Sequence, residues 1–229
     1  MGAVIASLLK AISQLGDPAI LRILAKSVVI TMVIFTFGGG GLLYWLYNVL
    51  VDHGIAFSAE LSALAAVIVT ILAGWLLFRI VAIAVLQFFA DEIVIAVERR
   101  HYPAAAQTAR KLPLREDAAN SLHGAGRALL FNALAAPIAL ILLFTAIGPA
   151  IIFWLVNALL LGRELTDMGW LRHRSASGQA APVAAFERFA LGGAIAALMI
   201  VPFANLFAPI IGAAAGTHLV QARMEEKNA

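Results

Sequence analysis

The stretch Ala128–Gly162, ALLFNALAAPIALILLFTAIGPAIIFWLVNALLLG, carries no charged residue over 35 positions, and Phe189–Ala222, FALGGAIAALMIVPFANLFAPIIGAAAGTHLVQA, carries none over 34. Each is broken near its middle by helix-breaking residues: Gly148-Pro149 in the first, and the segment from Pro202 to Pro209 in the second. A continuous 35-residue helix would be about 52 Å long, against a hydrocarbon core of about 30 Å. Each stretch therefore reads as two short helices folded back at the break. The fold class expected is an all-α integral membrane protein.

Working outward from these hairpins, composition agrees. Of the 229 residues, 62% are hydrophobic and 13% charged, where a soluble domain carries about 25% charged residues. This length suits one membrane domain without a separate soluble domain. The chain has no cysteine, which excludes disulfides, thiolate metal sites and cysteine nucleophiles. Five histidines stand singly, and no cofactor motif is present. Residues 1–16 lack the pattern of a cleaved signal peptide.

Upstream, Val4, Ile5, Leu8, Leu9, Ile12 and Leu15 recur at helical spacing, which predicts an amphipathic interfacial helix over residues 1–16. Asp17-Pro18 offers an N-cap and a first-turn proline for a first span over 19–51. The glycine run Gly38–Gly41 lies inside it and reads as a close-packing or bending site. A second span is expected over 59–102, with its far end projecting into water and Pro103 stopping it. Arg79 is the one charge well inside a span, and reads either as a snorkelling anchor or as a pore residue. Residues 128–162 and 189–222 form the hairpins. Phe144, Ile147, Ile151 and Ile152 recur as Phe203, Leu206, Ile210 and Ile211, a hint of duplication.

Arg79 aside, Lys and Arg avoid the apolar segments and the turn from Asp52 to Ser58. The positive-inside rule then puts that turn outside and both termini inside, with the hairpins entering and leaving on the cytoplasmic side. Arms such as Ala150–Gly162, about 20 Å of helix, imply hairpins that penetrate partway. Their tips, marked by Pro149, Pro202, Asn205 and Pro209, must pack against protein or line a wet cavity, because freed backbone cannot face lipid. Asn205 is placed to cap its turn. Gly212 and Gly216 make a Gly-x-x-x-Gly face for packing within the protomer or between subunits, and the half-buried hairpins point to a homo-oligomer.

Pro202-Phe203-Ala204-Asn205-Leu206-Phe207-Ala208-Pro209 resembles the Pro-x-x-Asn-Leu-x-x-Pro turn of the CysZ-type sulfate permeases, a family shared with eukaryotic etoposide-induced proteins. Glu164 and Asp167 after the first hairpin, and Ala96-Val97-Glu98 at the end of the long helix, are similar to the same family's segments. The resemblance implies a bacterial inner-membrane protein with two long spans and two half-penetrating hairpins, supplying sulfate for cysteine biosynthesis. It further implies a sulfate site at the start of the first span, aligned here as Ala19-Ile20-Leu21-Arg22. Arg22 keeps the second arginine of that motif; Leu21 stands for the first and Ala19 for the glycine. The helix start at Pro18 suits an oxyanion on its own account, through free N–H groups and the positive dipole end, while Asp17 opposes one.

The expected partners are membrane lipid and sulfate or a related oxyanion. The charges form no stripe that would follow a nucleic acid. Neither a nucleotide-binding loop nor a hydrolase motif is present, so passive conduction without enzyme activity is expected. The alternative is a non-transporting membrane scaffold or assembly factor of the same fold.

Overall fold

The computed structural model describes residues 1–41, 74, 89–175 and 179–228. Arg79, the turn from Asp52 to Ser58, residues 42–51 of the first span and most of the second span lie outside these residues. Among the described residues every regular element is helical. In chain order they are α1 (Gly2–Ser13), α2 (Pro18–Ile34), α3 (Ala90–His101), α4 (Pro103–Thr108), α5 (Leu114–Ile141), α6 (Gly148–Trp170), α7 (Ala185–Ile200) and α8 (Ala208–Asn228). The chain divides into two compact units, residues 1–20 with 90–229, and residues 21–89.

Within the larger unit, α8 is the central element and packs against α1, α3, α6 and α7. It is buried without interruption from Ala208 to Gln221. Small residues make this possible. A Cβ at Gly216 would overlap the carbonyl oxygen of Leu165, so α6 and α8 approach to backbone contact. The Gly212–Gly216 face is thus occupied by α6 of the same protomer, which excludes it as a subunit contact. The tightest pair is α6 with α7. A Cβ at Gly162 would overlap the Arg188 carbonyl, and one at Gly192 the Ala158 carbonyl. Trp154 closes this seam by donating from Nε1 to the Gly193 oxygen at 3.1 Å.

α5 is the opposite case. It contacts α6 but turns Leu129, Leu130, Leu134, Ile138 and Ile141 outward, and of its apolar half only Ala135 and Ala139 are buried. α1 meets α8 through Val4, Ser7 and Ala11 and exposes Ile5, Leu9 and Ile12. An apolar exterior around buried polar groups is the arrangement that lipid favours. Among the described residues, three helices are long and apolar enough to cross a membrane: Pro18–Gly38, Ala118–Thr145 and Gly148–Trp170. α6 has 23 residues, about 35 Å, and so outlasts the apolar arm read from sequence. The extra length carries charge from Arg163 onward.

In the smaller unit, α2 continues into a π-helical turn, Phe35–Gly39. π-turns locally widen and bend a helix. No described residue approaches within 4 Å of a Cβ placed at Gly38, Gly40 or Gly41, and the π-turn places a local bend at the start of the glycine run.

Candidate functional site

Three places bear on function: the start of α2, the two hairpin turns, and the polar interior where α1, α3, α6 and α8 meet. Pro18 opens α2 and Asp17 precedes it in extended conformation. Ile20 is buried, Ala19 half-buried and Arg22 exposed. Asp17 does not stand as a free charge at this helix end, because Arg100 pairs with it at 3.1 Å and His101 lies 3.8 Å away. The repulsion expected of Asp17 toward an anion is therefore largely offset.

The two turns are built differently. In the first, Ala146 takes φ 58° after a 3-10 turn, Leu142–Thr145. Thr145 Oγ1 accepts from the Gly148 N–H at 2.9 Å and donates to the Leu142 carbonyl at 2.7 Å. Pro149 then sits in the first turn of α6, where its missing N–H costs nothing. In the second, Phe203 takes φ 63° before a 3-10 turn, Ala204–Leu206. Backbone closes it, with Asn205 N donating to Val201 O at 3.0 Å and Phe207 N to Ala204 O at 3.0 Å. Pro202 is exposed, and Asn205 and Pro209 are buried. Among the described residues the Asn205 side chain forms no hydrogen bond, which corrects its expected capping role. The positive-φ residues, Ala146 and Phe203, do not match under the sequence repeat either, so the turns are not copies of one another.

The polar interior joins residues far apart in sequence. His218 Nε2 lies 3.2 Å from Gln14 Oε1, and its Nδ1 2.9 Å from the Tyr102 hydroxyl. Gln14 Oε1 can only accept, so Nε2 carries the proton and Nδ1 accepts from the phenol. The imidazole is then neutral. Burial, and secondarily Glu225, raises the Tyr102 phenol above its ordinary 10.0, which keeps it a donor. One helical turn before Tyr102, Glu98 is fully buried. Its Oε1 pairs with His173 Nε2 at 2.8 Å, Arg172 Nη1 lies 3.1 Å from its Oε2 as an ion pair without hydrogen-bond geometry, and the Gln221 amide lies 3.1 Å from the same His173 nitrogen. Thr217 turns inward and back-bonds to Ala213 O at 2.8 Å. A buried carboxylate with two cationic or protonatable partners is costly to break, so this cluster ties α1, α3, α6 and α8 into one rigid base. No group of carboxylates and histidines among the described residues could hold a metal ion.

These interior residues were not singled out in the sequence. The signal available was the spacing of Thr217, His218 and Gln221, which places three polar side chains along one flank of an otherwise apolar helix. The hairpin turns and this base lie at opposite ends of α6, about 30 Å apart along its axis, so the structure does not gather the sequence-derived residues into one site. No curated protein and no solved structure matches the chain. The family model described as "Sulfate transporter CysZ/Etoposide-induced protein 2.4" matches residues 7–209. That match covers the end of α1, both turns and the polar helix ends between them, and the chain belongs to this family.

Proposed function

We propose that the protein is a passive permease for sulfate-class oxyanions in the bacterial inner membrane, supplying sulfate for cysteine biosynthesis. The family match over residues 7–209 carries this reading. Its architecture is two long spans and two hairpins that enter from the cytoplasmic side without crossing, with both termini cytoplasmic and further copies of the chain beside the hairpins. Supporting the hairpin reading, the uncharged part of α6 ends at Arg163, leaving about 22 Å of apolar helix after Gly148. α6 and α8 also begin at Gly148-Pro149 and Ala208-Pro209, so their positive ends point toward the turns, a placement used for anions at broken helices. Ala19, Ile20 and Arg22 form the oxyanion contact at the start of α2, Arg79 is the candidate pore residue of the second span, and Pro149, Pro202, Asn205 and Pro209 mark the hairpin tips.

The test is uptake of radiolabelled sulfate into proteoliposomes without ATP or an ion gradient other than sulfate's own, against empty liposomes. Flux above the control is expected. Arg22→Ala should weaken sulfate binding by about 1.5–3 kcal/mol, the range of a charge-assisted contact, and Arg22→Lys should recover part of it because the charge stays and the fork is lost. Absence of flux from folded protein would favour a membrane scaffold of the same fold, a reading that Leu21 and Ala19 in the sulfate-site segment support.

A further inference from the structure

A cavity of about 230 Å³ lies where the polar ends of α5, α6 and α7 meet, on the far side of α6 from its proline turn. Arg127, Arg163, Arg174 and Arg188 line it, with Asp167 as the carboxylate among the lining residues. Glu116 binds Arg174 Nη2 at 2.5 Å. Four guanidiniums less these two carboxylates leave a formal charge of +2. Arg110 also holds Glu116, at 3.1 and 2.8 Å, and the two arginine bonds, Arg110's first, keep its carboxyl below the ordinary 4.5. Glu116 is thereby shared between two arginines and neutralises Arg174 only in part.

The guanidiniums are held along one edge and unsatisfied along another. The Arg174 side chain is 8% exposed, and its Nε–H is buried without an acceptor. Arg188 donates Nη2 to the Ala181 carbonyl at 3.0 Å, while its Nε is likewise buried and unpaired. The backbone of Arg188 is the point where Gly162 touches α7, so the root of this side chain is fixed by the tightest helix crossing in the unit. Asn120 adds a third buried donor without a partner, Nδ2. Arg127 forms no ion pair among the described residues. Buried donors left unpaired on charged groups are costly, and water could satisfy the bonds without neutralising the charge. The volume falls below the roughly 300–1,000 Å³ of sites for drug-sized ligands, and an arginine fork matches two oxygens of a tetrahedral anion.

We propose that this arginine-lined cavity is a binding site for one tetrahedral oxyanion, separate from the start of α2. Arg174, Arg188 and Asn120 supply the fixed donors and Arg127 the mobile one. The site adds a holding step to the permease reading and rests on it for the choice of sulfate as probe. The same chemistry is presented by free sulfate and by the phosphate of an anionic lipid headgroup.

The experiment is calorimetric titration of sulfate into the full chain in phosphatidylcholine nanodiscs, repeated in nanodiscs containing phosphatidylglycerol and with chloride as the competing anion. Arg127→Gln and Arg188→Gln are compared with wild type and with Arg22→Gln. The expected result is sulfate binding in both nanodiscs that chloride does not match. Each cavity variant should weaken it by about tenfold or more, and Arg22→Gln should leave a sulfate event that Arg127→Gln removes. Binding seen only in phosphatidylcholine, with phosphatidylglycerol retained by wild type and lost from Arg127→Gln, assigns the oxyanion to lipid and supports the site. Equal affinity in wild type, Arg127→Gln and Arg188→Gln for both ligands overturns it. Arg127 forms no hydrogen bond or ion pair to lose among the described residues, so that variant separates binding from misfolding. Flux is measured on the same proteins. Flux without cavity binding removes this site and leaves the permease, whereas cavity binding without flux removes the permease and leaves the site.

Discussion

α5 and α8 are both long helices that form one arm of an apolar helix pair, yet they sit in opposite surroundings. α8 is buried from Ala208 to Gln221 although it carries Thr217, His218 and Gln221. The apolar half of α5, from Ala128 on, turns its leucines and isoleucines outward. Hydropathy does not decide which helix is inside when the surrounding solvent is itself apolar. Residue size does. Gly212, Ala213, Ala214, Ala215 and Gly216 let α8 reach backbone contact with α6, and van der Waals packing and polar contacts drive association where no hydrophobic effect operates between helices. The larger side chains of α5 are left for lipid.

The strongest way to break this contrast is to enlarge a residue on the buried side. Gly216→Leu should destabilise the protein by about 3 kcal/mol, the upper end of overpacking, because its Cβ meets the Leu165 carbonyl oxygen. Leu134→Ala on α5 removes most of a large apolar side chain, yet thermal unfolding in detergent should change by less than about 0.5 kcal/mol, as at an exposed site. Equal effects would mean that α5 is as much core as α8.

A second substitution probes the polar side of α8. His218→Leu leaves Gln14 and Tyr102 without their shared partner and should cost about 1–3 kcal/mol, read by the same unfolding measurement. An unchanged midpoint would remove the cluster from the fold's foundations.

The ends of α7 and α8 give a pH-dependent version. Glu187, in the first turn of α7 before the apolar stretch, accepts from Arg223 Nε at 3.1 Å and also pairs with it through Nη2. Arg223 first, then the Ala184 N–H against the opposing effect of burial, holds its pKa below the ordinary 4.5. A depressed folded-state pKa contributes stability that is complete above the unfolded value and lost as pH falls through the folded one. Unfolding midpoints should therefore drop as pH goes below about 4.5, and Arg223→Gln should flatten that dependence. A slope unchanged in the variant would show that another carboxylate is responsible.

The smallest expected effect separates the two turns. Thr145→Val removes a side chain bonded on both sides of the first turn and should cost about 0.5–1.5 kcal/mol. Asn205→Ala, with no hydrogen bond to lose, should cost less than Thr145→Val in the same assay. The reverse order would restore Asn205 as a cap.

Much of this architecture was legible in the chain. The breaks at Gly148-Pro149 and at Pro202–Pro209, the helix start at Pro18 and the amphipathic α1 follow from local backbone chemistry, which one sequence displays directly. What it does not display is partnership. Glu98 with His173, Gln14 with His218, and Arg188 beside Arg174 meet only when four helices are assembled. Gly162 and Gly192 read as ordinary members of an apolar run until each is found under the carbonyl of the other helix. The capping role expected of Asn205 fails for a similar reason: a polar side chain is plausible in either turn, and only the folded backbone shows that Thr145 is the one bonded within its turn. The arginines of the cavity were visible as charges at a membrane border, and their convergence was not.

The central claim is that both apolar stretches enter and leave from one side, with their turns short of the opposite surface. Single cysteines at Ala146, Gly178 and Lys227 in this cysteine-free chain, probed with a membrane-impermeant maleimide on intact and on opened cells, test it most directly. The account predicts that Gly178 and Lys227 label only after opening, and that Ala146 does not label from outside. Labelling of Ala146 from outside would make the first hairpin a full crossing, and labelling of Gly178 from outside would contradict the hairpin itself.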